Sequence, residues 1–361
     1  MADEGKLSLV LVNDGGRVSR VELTSTRRTD FSRILTGLPV EKALALVPAL
    51  YSICATAQAV AGLEACEAAL GLEVDEGNRA LRAAMVALEA IDNHAFQFFV
   101  EWPRVVGRPP EAAAYRQLKA ATQVVRGALL GRAVWAKPGG VAVEPVALAE
   151  AVGVLRAAVE GLIPPVGETT DEALCGWSPF LRAALAAGAR VLGGGTVPLL
   201  PRLEGRWFGE RLSVEPGFSA RPTLNGAPAE AGCLALAGTR TVWTRLVAQL
   251  ADAHRLVGEV EAALPMVGRA KAGEASGRAS GVGAGVADTS RGRLAHAVTV
   301  QDGVVTSWRT VAPTEWSFHP EGAAREALLG LEEEEGRRVS PFVVAALNPC
   351  VACDVTARGG R

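Results

Sequence analysis

Residues 6–12, KLSLVLV, alternate apolar and polar positions, and GRVSRVEL resumes the alternation after the turn NDGG. A period of two is a strand signal. Asn13-Asp14-Gly15 supplies residues that tolerate positive φ, so the pattern predicts a hairpin. From Pro39 to Leu72 the period becomes helical and the residues turn to Ala and Leu. Pro48 should end or kink a helix just before Tyr51. EGNRALRAAMVALEAIDNHAFQFFVEW predicts a long helix, amphipathic at first and closing in a dense aromatic run. Helical patterns continue through YRQLKAATQVVRGALL, PVALAEAVGVLRAAVEGL and TRTVWTRLVAQLADAHRLVGEVEAAL. Between Gly268 and Gly285 the Gly/Ala/Ser segment buries little and predicts a mobile loop. RLAHAVTVQDGVVTSWRTVAP alternates around Asp302-Gly303, a second hairpin signal. The acidic run Glu332–Glu335 reads as a solvated face. The expected fold is mainly α, a helical bundle over 1–361 as one domain. It carries small antiparallel β elements near the N- and C-terminal ends.

Composition narrows the function classes. The chain of 361 residues is 49% hydrophobic with a formal net charge of −2, so no electrostatic footprint suggests nucleic acid. Apolar stretches are broken by Glu, Arg or Pro before they reach bilayer length, which argues against membrane insertion. The acidic N-terminus followed by an early turn does not read as a signal peptide. Six cysteines are too few for a disulfide framework in so long a chain, and they suggest working thiols in a reducing cytoplasm.

The thiols carry the candidate chemistry. Cys350-x-x-Cys353, behind Asn348-Pro349, supplies two soft donors for one metal ion or a redox pair. No second Cys-x-x-Cys completes a zinc knuckle, and the pair lies too near the C-terminus for thioredoxin-like chemistry. Cys66, Cys175 and Cys233 read as small buried hydrophobes.

Cys54 differs by its surroundings. PALYSICATAQAVAGLEACEAALG resembles the first metal-binding motif, R-x-C-G-x-C-x-x-x-H, of [NiFe] hydrogenase large subunits. NPCVACDVT resembles the family's closing D-P-C-x-x-C-x-x-H. Cys54 falls on the second cysteine of the first motif, and Cys350 and Cys353 on the final pair. EGKLSL is similar to E-G-H-L-R-I, placing Glu4 on its glutamate, and FSRILTG to F-x-x-I-L-x-G. NHAFQFF resembles H-x-x-H-F-Y with His94 kept and Gln97 at the second histidine, and APAEAGCLA resembles P-x-E-x-G-x-L-A. DTSRGRLAHAVTVQDGVVTSWRTVAPTEW resembles the stretch from E-A-P-R-G to V-P-T-x-W. It puts Arg291 where the family's arginine packs beside the diatomic ligands. The likeness covers an N-terminal part, 1–104, and a C-terminal part, 223–361. Residues 105–222 carry no matching motif, and the chain reads as a shortened large subunit.

The departures bear on function. Tyr51 stands at the first cysteine, Ala49 at the arginine and Ser52 at the glycine. Gln58 and Thr356 replace the two histidines, and Asn348 the aspartate. In the family four thiolates hold nickel, and the second cysteine of each motif bridges to iron. Nickel therefore loses a soft ligand, and a phenol with a pKa near 10 is a poor substitute. Both iron-bridging thiolates, Cys54 and Cys353, remain. Only ARGGR follows Thr356, which suggests a tail that does not lock down over the site.

Together these features resemble the HupK/HoxV group of hydrogenase expression proteins, paralogues of the large subunit without hydrogenase activity. That resemblance implies a transient scaffold for iron with cyanide and carbon monoxide ligands, and not an enzyme. Cys54 and Cys353 would be its iron ligands and Cys350 an auxiliary thiolate. The implied partners are a HypC-type small chaperone in the iron-centre assembly complex and the apo large subunit. Arg291 would donate to a bound cyanide, a charge-assisted contact of roughly 1.5–3 kcal/mol. Two alternatives are a hydrogenase-like enzyme or H2 sensor with three thiolates at nickel, and a metal-free interaction protein. Blander roles stand beside these. Glu4 holds backbone near Cys54, and Arg291 pairs with a carboxylate such as Asp288. His94 is a satisfied buried histidine, His296 and His319 are solvent-facing or structural, and Tyr51 fills volume.

Overall fold

The computed structural model describes residues 5–27, 31–131, 134–167, 169–233, 238, 240–273 and 280–360. Strands β1 (Leu7–Asp14) and β2 (Arg17–Ser25) pair antiparallel, with a bulge at Val12/Asn13. The left-handed turn residues are Gly15 and Gly16, one step later than the sequence suggested. Helices α1 (Val40–Leu50), α2 (Ala55–Leu70) and α3 (Glu76–Phe96) follow, and α1 ends two residues beyond Pro48, just before Tyr51. The aromatic run leaves α3 through a π-helical turn, Gln97–Glu101. There Phe98 packs 4.7 Å from Trp102, and Trp102 stacks on Phe180.

Helices α4 (Ala112–Leu130), α5 (Leu148–Leu162) and α6 (Val242–Val267) complete the helical body. A Thr241/Thr244 capping box starts α6 by satisfying its first backbone donors. The pair His94 Nε2–Asp252 at 2.9 Å ties α3 to α6 inside the core, so His94 is a buried structural histidine, paired at Nε2 and without a hydrogen-bond partner at Nδ1. No helix among the described residues is long and apolar enough to cross a membrane.

A second sheet has the order β3-β4-β5, from Gly281–Thr289, Gly292–Gln301 and Val304–Val311, all antiparallel. The last two strands are the hairpin expected at Asp302-Gly303. The first corrects the end of the expected loop, because residues 281–285 are strand; residues 274–279 of that loop lie outside the described residues. Gly281, Gly283 and Gly285 recur with period two and press their backbones on Ala69, Ala65 and Ala61 of α2. A strand's repeat of two thus meets a helix's repeat of four, and glycine permits the close approach.

Helix α7 (Glu333–Leu347) begins at the acidic run. Glu332 and Glu335 form its capping box and the carboxylates complement the helix N-terminus, so the run has a structural use beyond solvation. After α7 the chain turns at Asn348 and enters β6 (Cys353–Gly359), which pairs parallel with β1 in the order β2-β1-β6. This corrects two expectations. The first sheet is mixed and not purely antiparallel, and the tail is hydrogen-bonded into it along its length.

Candidate functional site

Cys54 is the N-cap residue of α2. Its thiol side chain does not cap the helix, so the exposed N–H groups need another acceptor. Glu89 of α3 supplies it, accepting from Thr56 N at 2.6 Å and Ala57 N at 3.0 Å. Asn93, one turn further along α3, donates to the Ile53 carbonyl at 3.1 Å. Two side chains of one helix therefore fix the loop that carries the first motif.

A hydrogen-bond relay reaches the sulfur from the other side. Trp308 Nε1 donates to His296 Nδ1 at 3.0 Å, which leaves the His296 proton on Nε2 facing Gln58 Oε1. The Gln58 amide then donates to Cys54 Sγ at 3.5 Å. Gln58, at the family's histidine position, thus serves the thiol directly. His296 is fully buried and structural, not solvent-facing. His319 is also buried and accepts from Glu321 N.

Burial depresses the His296 pKa to about 3. An unfolded histidine takes a proton below about pH 6.5, whereas the folded ring refuses it. Stability from this group is therefore complete above pH 6.5 and is lost as pH falls towards 3, at about 1.4 kcal/mol per unit. Urea midpoints at pH 7.5 and 5.5 should fall further in the wild type than in His296→Gln. Equal losses would contradict this assignment.

The second motif is held by its own supports. The last carbonyls of α7 accept from Gln97 (to Ala345, 3.1 Å) and Gln249 (to Ala346, 2.9 Å). Asn348 follows in the left-handed conformation, with φ 47°. Cys350 is buried, and its backbone N–H donates to Thr314 Oγ1 while that hydroxyl faces Cys350 Sγ, both at 3.2 Å. Cys353 opens β6, opposite Leu7 of β1, and is half-buried.

Arg291 sits in the turn between β3 and β4, where its backbone N–H donates to Thr289 Oγ1. Only 9% of it is exposed. One contact, Nη1 to Ser290 Oγ at 3.3 Å, is long, and Nε has no hydrogen-bond partner. Asp288 instead pairs with Arg293 at 2.7 Å, which removes the carboxylate considered for Arg291. Burial lowers the Arg291 pKa, opposed by the charges of Cys350, Cys54 and Glu89.

The charges of Cys350 and Arg291 thus act on Cys54, and that of Cys54 acts on Tyr51. Burial first, then Cys350 and Glu89, push the Cys54 thiol up to about 12. Burial and then Asp354 do the same for Cys353. Tyr51 is held neutral, also pushed to about 12 by burial. A cleft of about 850 Å³ opens onto Arg291, Cys350 and Cys353, with Ser52, Glu89 and Asn348 also in its lining, while Cys54 and Tyr51 lie outside that lining. Among the described residues no three His, Cys, Asp or Glu side chains converge as a ready metal clasp. The charge of Cys350 acts on Cys54, while Cys353 shares the cleft wall with Cys350.

Thr356 lies exposed on the edge strand β6, and Glu4 falls outside the described residues. Cys66 and Cys233 are buried and Cys175 is half-buried, as small apolar side chains. Sequence reasoning missed Glu89, Arg27 and Glu315. Nothing in the spacing of Glu89 distinguishes it from any other helical glutamate. Thr314 and Glu315 lie inside APTEW, the stretch that resembles V-P-T-x-W.

The family model described as nickel-dependent hydrogenase matches residues 231–356. The chain superimposes on the [NiFeSe] hydrogenase of Desulfovibrio vulgaris Hildenborough in its reduced state, with TM-score 0.68 over 94% of each chain at 17% identity. The fold is therefore that of a hydrogenase large subunit, over a span that includes the motif-poor middle of the chain. HupV of Azotobacter chroococcum is 28% identical over 97% of this chain and 98% of its own. HoxV of Cupriavidus necator is 26% identical over 88% of each. HupK of Azotobacter vinelandii is 32% identical over 90% of each. All three are called hydrogenase expression/formation proteins. Matched over nine tenths of its length at that identity, this chain belongs to the HupK/HupV/HoxV family of hydrogenase expression/formation proteins.

Proposed function

We propose that the chain is a non-catalytic carrier in hydrogenase maturation. Its cargo is an iron centre bearing cyanide and carbon monoxide, passed on to the apo large subunit. The observation that carries this reading is Arg291, a buried cation with an unused Nε–H beside Cys54 and Cys350. A buried donor left without a partner is costly, and an anionic acceptor such as an iron-bound cyanide would satisfy it. Cys54 and Cys353 would ligate the iron and Cys350 would assist. Low-spin iron with strong-field ligands suits soft thiolates, and its diatomics leave few positions for the protein to fill.

Nickel is disfavoured by the same residues. Tyr51 offers a neutral phenol and Gln58 spends its amide on Cys54. Without nickel there is no hydrogen turnover. The open cleft suits loading by a HypC-type chaperone and unloading to the large subunit.

The test is transfer. Protein loaded with isotopically labelled iron and cyanide should lose label to apo large subunit within the time that hydrogenase activity appears. Label that stays on the carrier while activity appears would overturn the proposal.

A further inference from the structure

Arg27, just beyond β2, is a second cation at the thiol site. Its Nη1 donates to Glu315 Oε1 at 2.5 Å, and the two side chains are 13% and 8% exposed. Arg27 Nε and Glu315 Oε2 both lack hydrogen-bond partners, so the pair is fixed at one edge and unsatisfied at the other. A cavity of about 340 Å³, lined by Arg27, Thr314 and Glu315, adjoins them. Thr314, the residue before Glu315, is the one bonded to Cys350 through both its N–H and its sulfur. The charges acting on the guanidinium are Glu315, Cys350, Cys54 and Tyr51, in that order after burial itself. Arg27 and Arg291 also repel one another, and the charges of Cys350 and Cys54 act on both.

We propose that Arg27, clamped by Glu315, is a specificity-determining cation that keeps a divalent metal such as nickel out of the Cys54–Cys350 part of the site. This rests on the carrier reading above. Guanidinium stays charged at every accessible pH, so the repulsion is permanent. Tyr51 and Cys350 align with nickel ligands of the large subunit, and both interact electrostatically with the fixed charge. The Glu315 carboxylate offsets part of that charge at one edge of the guanidinium, and a divalent ion beside Cys350 meets the uncompensated remainder with little water between. That costs it roughly tenfold or more in affinity. An iron centre whose cyanides are anionic at their outer atoms instead finds two cations facing them.

The experiment is a nickel(II) titration of full-length protein, purified without oxygen from cells that lack the iron-centre machinery. Calorimetry and thiolate-to-nickel absorption report binding. Arg27→Met should bind nickel at least about tenfold more tightly than wild type. Its absorption band should disappear when Cys350→Ser is added. Arg27→Lys, which keeps the charge, should stay close to wild type. Glu315→Gln, which removes only the compensating anion, should bind nickel no better than wild type. Because Arg27→Met leaves Glu315 buried alone, the double variant Arg27→Met/Glu315→Gln provides a folded background, and it too should gain nickel affinity. Equal affinity in wild type and both methionine variants overturns the proposal, as does a lysine variant that binds as tightly as methionine. The carrier reading is scored separately, by cyanide and carbonyl bands in wild-type protein from cells that make the iron centre. Missing bands with a tenfold nickel gain defeat that reading alone, and present bands without the gain defeat this one.

Discussion

Cys54→Ala should abolish the cyanide and carbonyl stretching bands of protein purified without oxygen from cells that assemble the iron centre. The residue stands where the Gln58 amide, the Arg291 charge and the start of α2 converge. Cys350 and Cys353 come from the other motif, so neither supplies the donor that the first motif loses. Cys66 lies three turns along the same helix, fully buried among apolar neighbours, and burial raises its pKa well above the ordinary thiol value. Cys66→Ala should therefore keep its bands. Removing one half-buried sulfur costs about 1 kcal/mol of stability, far too little to unfold the chain. Lost bands then report lost ligation. Full-intensity bands in Cys54→Ala would remove this residue from the site.

The second large effect is structural. A Cβ at Gly283 would land on the Ala65 carbonyl oxygen and the Ala69 amide nitrogen of α2. These are backbone atoms, so strand and helix must separate. Such overpacking costs about 3 kcal/mol, and for a chain of this length lowers the melting temperature by about 4 °C. The movement also displaces α2, whose first turn carries Cys54. Gly127, inside α4, has open space where its Cβ would be. Gly127→Ala should stabilise by up to about 1 kcal/mol through helix propensity. Thermal melts of the two variants separate the cases, and a Gly283→Ala protein that melts with the wild type would contradict this packing.

The two glycines also show what was legible in the sequence. Helices α3 and α6 were readable because apolar positions recur along one face and bury it. The hairpin at Asp302-Gly303 was readable because its turn residues stand between two runs rich in β-branched side chains. Strand β3 was not, since its inward residues are Gly283, Gly285 and Ala287, too small to register as a hydrophobic face. The partner that makes them core is α2, more than 200 residues earlier. Strand β6 was hidden for a related reason. Its pairing with β1 brings both ends of the chain together, and no local pattern encodes that.

For the site, the family motifs located Cys54, Cys350, Cys353 and Arg291, because thiols and a matched arginine are visible as residue types. Their supports were not visible. Glu89 is distinguished only by the helix end it meets, and Arg27 only by Glu315, 288 residues later. Asp288, the carboxylate considered for Arg291, goes to Arg293 because the β3–β4 register sets those two residues directly opposite one another.

The central claim is that this chain holds an iron centre and not a nickel site. The most direct measurement is one sample of wild-type protein, purified without oxygen from cells carrying the maturation machinery. Its infrared spectrum is recorded and its iron and nickel are counted together. The account predicts cyanide and carbonyl bands with iron present and nickel absent. Stoichiometric nickel with hydrogen turnover, or neither metal nor bands, would contradict it.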